Sequence, residues 1–196
     1  MVNLKFSVAP QIQAPLYELL KIMTQMLSNL VLIGMPGSGK STVGVILAKM
    51  TSRGFLDTDV LIQTSQQRTL QDIVDSDGHA MLREIEENVL LGLLIQNHVI
   101  ATGGSAVYSD KAMSHLKSHG ILIFLDVDLA ALKSRICDFS TRGIAKRPGQ
   151  SFAELFNERL VLYVKHADIT IKCKGITQEQ VCKKIIEEVK FTRVER

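Results

Sequence analysis

The chain contains no tryptophan, and among its 196 residues there are only seven phenylalanines, three tyrosines, three cysteines and four prolines. So few aromatic rings leave it poorly furnished for a module that reads sugars or bases mainly by stacking. Cys137, Cys173 and Cys182 form neither an even disulfide framework nor a zinc-binding spacing, so a reducing, cytoplasmic setting is expected. A formal charge of +3 is too small to argue for a nucleic-acid or membrane-surface partner, and neither is expected. No apolar run approaches the ~20 residues that span a bilayer. What is left, 46% hydrophobic and 22% charged residues, is the composition of an ordinary globular domain.

Residues 1–28 stand apart. They hold Pro10 and Pro15, followed by YELLKIMTQML, in which Leu16, Leu19, Leu20, Met23, Met26 and Leu27 repeat at a helical spacing. The charged start, apolar centre and small-residue cleavage site of a secretory signal do not line up. Three readings stay open: an amphipathic N-terminal helix packed on the domain, translation beginning at Met23 or Met26, or an appendage for a partner. The expected division is an extension over 1–28 and one domain over 29–196.

From Asn29 onward, apolar runs alternate with helical periodicity. Strand-like segments fall at 30–34, 54–57, 98–102, 120–127 and 167–172. Helical stretches fall at 40–51, 79–95, 110–118, 129–138, 152–165 and 178–190. This alternation predicts an α/β fold of three layers, with a five-stranded parallel sheet flanked by helices. The segment DFSTRGIAKRPGQS (138–151) lacks apolar periodicity and carries two arginines and a lysine. A long basic loop of this kind is expected to act as a lid.

The sharpest motif is Gly34-Met-Pro-Gly-Ser-Gly-Lys-Ser41, which matches G-x-x-x-x-G-K-[ST] at every fixed position, after an apolar run and before a helical one. Glycines let consecutive backbone N–H groups turn toward phosphate oxygens, and the following helix adds its positive end. Gly37, Ser38, Gly39, Lys40, Ser41 and Thr42 are therefore expected to hold ATP. Lys40 would supply a charge to the β- and γ-phosphates, and the Ser41 hydroxyl a ligand for Mg²⁺.

GFLDTDVLI places Asp57 and Asp59 at the end of the next strand, on the sheet edge where the phosphate loop also lies. Two residues apart in an extended segment, they would share a face. One can help hold Mg²⁺ through water while the other accepts a substrate hydroxyl proton. The plainer alternative is that Asp59 caps the helix that follows. A further strand ends in ATGGSAVYS, where Gly103 and Gly104 mark a tight turn or a close approach of backbone to a ligand.

These residues together resemble the shikimate kinase family of P-loop enzymes, over a span from about Leu30 to Lys190. The phosphate loop is generic. The more specific marks are Asp57-Thr58-Asp59, GHAMLREIE (78–86), ATGG (101–104), the basic loop, and NERLVLY (157–163) followed by Ala167-Asp168. The resemblance implies phosphorylation of shikimate to shikimate 3-phosphate, in aromatic amino acid biosynthesis, with ATP as co-substrate, Mg²⁺ as cofactor and a monomeric state. It implies that Asp59 bonds the substrate hydroxyls and serves as base, and that Asp57 orders Mg²⁺. Arg83 and Arg159 would bind the substrate carboxylate, beside backbone contacts from Gly103 and Gly104. Arg135 would pack near the adenine, and Arg142 would reach over the transferring phosphoryl group.

Each arginine also has a plainer role available. Arg83 could pair with Glu86 or Glu87 on its helix, Arg159 with Glu158 or Asp168, and Arg135 could face solvent. The chain departs from the family pattern at Leu82 (usually phenylalanine), Ser105 (a third glycine), Gly143 (a proline) and Val161 (a proline). A kinase for another small hydroxylated acid, such as gluconate, and a regulatory P-loop module are the alternatives. His115 and His119, four residues apart, suit a metal pair by spacing alone, but no carboxylate cluster accompanies them.

Overall fold

The computed structural model describes residues 28–135 and 143–194. The expected N-terminal helix and Arg142 lie outside these residues. The strands are β1 (Asn29–Ile33), β2 (Gly54–Asp57), β3 (His98–Ala101), β4 (Gly120–Asp126) and β5 (Ile169–Lys172). The helices are α1 (Lys40–Thr51), α2 (Thr58–Gln66), α3 (Leu70–Leu91), α4 (Asp110–His119), α5 (Leu129–Arg135), α6 (Phe152–His166) and α7 (Gln178–Val194). A 3₁₀ turn, Ala106–Tyr108, joins β3 to α4.

The five strands form one parallel sheet in the order β2-β3-β1-β4-β5. β1 is central and wholly buried, with Leu30, Val31, Leu32 and Ile33 each at 2% exposure or less. A strand covered on both faces needs a continuous apolar run rather than an alternating one, which is why LVLI and ILIFL read as they do. Val181, Ile185 and Val189 of α7 are buried in the same core, facing α1. A second, smaller cluster of Ile62, Ile73, Leu82 and Ala145 joins α2 and α3 to the segment after residue 142.

Parallel strands send all their carboxyl ends to one edge. The phosphate loop after β1, Asp57 at the end of β2 and Thr102-Gly103-Gly104 after β3 therefore converge there. The positions next to the site are fixed by specific bonds. The Tyr163 hydroxyl donates to the Gly104 carbonyl at 2.6 Å while its ring stacks on Phe124, and Thr58 Oγ1 accepts the Gly103 N–H at 3.0 Å.

Two expectations are corrected. The first concerns the β2–α2 junction, which contains no connecting loop. Asp57 Oδ1 accepts the N–H groups of Asp59 at 3.0 Å and Val60 at 3.4 Å, so α2 begins at Thr58. Asp57, not Asp59, is the cap. Asp59 points from the first helical turn rather than along an extended face. Second, the helix expected from His79 begins at Leu70, started by a Thr69–Asp72 capping box, and turns at Gly78, whose φ is +85°. Glycine tolerates that conformation, so the two helical runs stay connected. In the part of the expected lid that is described, Ile144 and Ala145 are buried.

At the opposite edge, buried Asn29 ties β1 to the start of β3. Its Nδ2 donates to the Ile95 carbonyl at 2.7 Å and its Oδ1 accepts the His98 N–H at 2.9 Å. Asn29→Ala is expected to cost about 1–2 kcal/mol, since two partly buried backbone groups lose their partners. The urea midpoint of the variant measures this, and a change under about 0.5 kcal/mol would show that water replaces both bonds.

Candidate active site

The phosphate loop takes the shape its glycines permit. Gly34, Gly37 and Gly39 have φ of +148°, +82° and +94°, which side chains bearing a Cβ rarely adopt. Gly39 precedes α1 with no side chain capping the helix, and the first turn holds no acidic residue. The N-terminal N–H groups and the positive end of α1 thus face the cleft without competition from a protein anion. Lys40 is buried and donates to the carbonyls of Gly34 at 2.7 Å and Met35 at 3.0 Å. Burial lowers its ammonium pKa to about 8, against the opposing pull of Asp59. Arg135 of α5 reaches the mouth of the loop, its guanidinium 3.5 Å from the Gly37 carbonyl.

A cleft of about 730 Å³ runs from this loop to the far wall. Gly37, Gly39, Lys40, Ser41, Thr42 and Arg135 line one end; Asp59, Glu86, Gly104, Ser105, Ala145 and Arg159 line the other. Of the residues expected to meet substrate, Asp59, Gly104 and Arg159 line the cleft, and Arg83 and Gly103 are not among its lining residues. Gly103 contributes close approach: a Cβ there would meet Glu86 Oε1 at 1.9 Å and Asp59 Oδ1 at 2.7 Å. At Gly104 a Cβ would meet an Arg159 nitrogen at 2.8 Å. These two glycines are required by neighbouring side chains, not by backbone conformation.

Neither acid-binding arginine candidate forms its plainer pair. Arg159 is fully buried and donates to the Ala145 carbonyl at 2.7 Å, while its Nε has no partner. Glu158 is instead occupied by Tyr108, Gln150 and Arg147, and Asp168 by Lys117. Arg83 forms no ion pair with Glu86 or Glu87. Its Cζ lies 3.6 Å from the centre of the Tyr108 ring, and its Nε and one terminal nitrogen are buried without partners. Arg159 on the cleft wall and Arg83 on the same Tyr108 ring thus keep donors that the protein does not meet.

Glu86 is the site residue that the motifs did not single out. It is 4% exposed and accepts a hydrogen bond from the Ser105 hydroxyl at Oε2. A sequence signal exists: Leu82, Glu86 and Leu90 are four apart and all buried, so the carboxylate interrupts an apolar stripe. Burial raises the Glu86 pKa to about 7, opposed by the Ser105 hydrogen bond. Burial also raises that of Asp59, opposed by the charge of Lys40. Ser105, where the family has glycine, has φ of −94°, so it carries no backbone strain. Gly143 has φ of +56°, and its N–H bonds Gln71 Oε1 at 2.9 Å. The usual proline could do neither. Val161 is exposed within an unbroken α6, and His115, considered as a metal ligand, bonds the Leu93 carbonyl at 2.9 Å.

The Glu86 burial has a pH consequence. The folded chain keeps this proton to about pH 7, whereas an unperturbed glutamate loses it near 4.5. The folded state therefore holds the extra proton in that window, and its stability falls as pH rises through it, by about 3 kcal/mol at most. Glu86→Gln cannot ionise and is expected to flatten the slope of the urea midpoint between pH 5 and pH 8. Equal slopes in the two proteins would contradict the assignment.

Comparison with known proteins agrees with this geometry. The family model described as shikimate kinase matches residues 36–190. A shikimate kinase of Rippkaea orientalis is 39% identical over 165 residues, covering 82% of this chain and 87% of its own length. One of Thermodesulfovibrio yellowstonii is 34% identical over 165 residues, covering 83% and 95%. Among solved structures, a shikimate kinase from Acinetobacter baumannii in complex with shikimate aligns with a TM-score of 0.78 at 28% identity, covering 88% of this chain and 98% of that one. Aquifex aeolicus shikimate kinase aligns at 0.70 with 33% identity, covering 83% and 96%. With a phosphate loop on a parallel sheet ordered 2-3-1-4-5 and a family match over most of its length, the chain belongs to the shikimate kinase family.

Proposed function

We propose that the protein transfers the γ-phosphoryl group of ATP to a hydroxyl of shikimate, giving shikimate 3-phosphate. The observation that carries this reading is that one cleft is lined by the phosphate loop and by Asp59, Gly104 and Arg159, with the Asp59 carboxylate acted on by the charges of both Lys40 and Arg159. The triphosphate lies along the backbone N–H groups of 37–42 and the start of α1, and Lys40 exchanges its carbonyl partners for β- and γ-phosphate oxygens. The acid end of the substrate pairs with Arg159 and Arg83, whose planar guanidiniums match a carboxylate. Asp59 bonds the attacking hydroxyl and accepts its proton. Arg142, with Lys40, balances charge on the transferring group. Arg135 lies against the adenine.

The residues also fit a hard divalent cation. Ser41 offers an exposed hydroxyl beside the loop, and Asp57 uses Oδ1 as the helix cap while Oδ2 accepts no hydrogen bond. Among the described residues no group of three or more His, Cys, Asp or Glu could enclose an ion. That suits Mg²⁺, which keeps several waters and takes few protein ligands. When bound it supplies positive charge to the triphosphate. No helix among the described residues is long and apolar enough to cross a membrane, and a cytoplasmic enzyme fits this reading.

Lys40→Ala is expected to lower kcat by at least about 100-fold without changing the fold. Coupled ADP release with shikimate measures it, and unchanged turnover would refute the assignment. Arg83→Ala and Arg159→Ala should each raise the KM for shikimate by about 10- to 100-fold while sparing that for ATP. An effect confined to ATP would place these arginines elsewhere. Removal of residues 1–28 should leave kcat/KM within about twofold, on the reading that the catalytic domain starts at 29. Insoluble protein would show that the domain extends further toward the N-terminus.

A further inference from the structure

Arg83 and Arg159 come from different helices, α3 and α6, and their like charges oppose each other: Arg159 is among the groups that lower the Arg83 pKa, after burial. Keeping both cations this near each other needs a group that offsets their repulsion. The group that both of them meet is Tyr108, in the 3₁₀ turn after β3. Its ring centre lies 3.6 Å from the Arg83 Cζ and 5.4 Å from the Arg159 Cζ, both within the range of cation–π attraction.

The tyrosine is itself held at both ends. Its N–H donates to the Ser105 carbonyl at 3.0 Å, and its hydroxyl donates to Glu158 Oε1 at 2.7 Å. Glu158 immediately precedes Arg159 on α6, so the helix that supplies one arginine also anchors the ring that holds it. The other Glu158 oxygen accepts from Gln150 at 2.7 Å and from Arg147. The nearest carboxylate on α6 is thereby drawn off to three other donors. It does not neutralise the arginines, and their charge stays available for an incoming anion.

We propose that Tyr108 is a positioning residue for substrate-carboxylate binding: its ring, anchored by Glu158, fixes the spacing of the Arg83 and Arg159 guanidiniums. The inference rests on the acid-binding role given to these arginines above. A ring of this kind touches no reacting atom, so its loss acts on substrate affinity rather than on the phosphoryl-transfer step.

The test is steady-state kinetics of the full-length protein with shikimate and with shikimate methyl ester, whose carboxyl group is uncharged. Tyr108→Leu is expected to raise the KM for shikimate about tenfold, with kcat within about twofold and the KM for ATP unchanged. Tyr108→Phe keeps the ring face but loses the hydroxyl bond to Glu158, and should raise this KM by about threefold, between wild type and the Leu variant. For the methyl ester, the Leu variant should match wild type, because the carboxylate the ring serves is masked. If Tyr108→Leu does not fold, Tyr108→Met gives the same readout. An unchanged KM for shikimate, or an equal penalty on the ester or on ATP, would overturn the proposal while leaving the kinase assignment intact. A wild-type protein that shows no shikimate-dependent ADP release would overturn the assignment and this inference with it.

Discussion

At Gly103 the backbone passes so close to Glu86 Oε1 and Asp59 Oδ1 that a β-carbon would stand 1.9 and 2.7 Å from them. The rest of the cleft is arranged around that approach. It requires β3 to end where it does, with the Gly103 N–H delivered to Thr58 and the Gly104 carbonyl to Tyr163. It brings α2, α3 and α6 to one strand end, and with them two carboxylates and two guanidiniums. No larger residue at 103 or 104 would let these side chains share the space.

Closely packed charges need compensation, and here it is distributed rather than paired. Glu86 is met by a serine hydroxyl, Arg159 by the Ala145 carbonyl, Lys40 by two loop carbonyls and Arg83 by an aromatic face. Neutral partners stabilise a buried charge without cancelling it. Lys40, Arg83 and Arg159 keep their positive charge in this way. The carboxylates are the groups that yield, through raised proton affinity at Glu86 and Asp59.

Much of this was legible in the residues. The β1 run and the G-x-x-x-x-G-K-[ST] spacing locate the phosphate end, because both follow from local rules: apolar continuity in a buried strand and glycine at positive φ. All five strands fall where the apolar runs place them. The carboxylate end was legible only through family resemblance, since Arg83 and Arg159 are far apart in sequence and each has a plausible local partner. Asp57 and Asp59 were assigned to one extended face because a strand was assumed to end in a loop; the side-chain cap starts the helix at once. Glu86 was treated as a possible ion-pair partner of Arg83, although its place in the stripe Leu82-Glu86-Leu90 marks it as buried. Tyr108 could not be found by pattern, because nothing local says which cations will cross its ring.

The two departures at Ser105 and Gly143 differ in what their backbones accept. Position 105 sits at φ −94°, open to any residue, and the serine hydroxyl there meets the Glu86 carboxylate. Position 143 sits at φ +56° with its N–H bonded, a conformation proline cannot take. The first position can trade its residue without moving the chain; the second holds its glycine for as long as the loop keeps this shape.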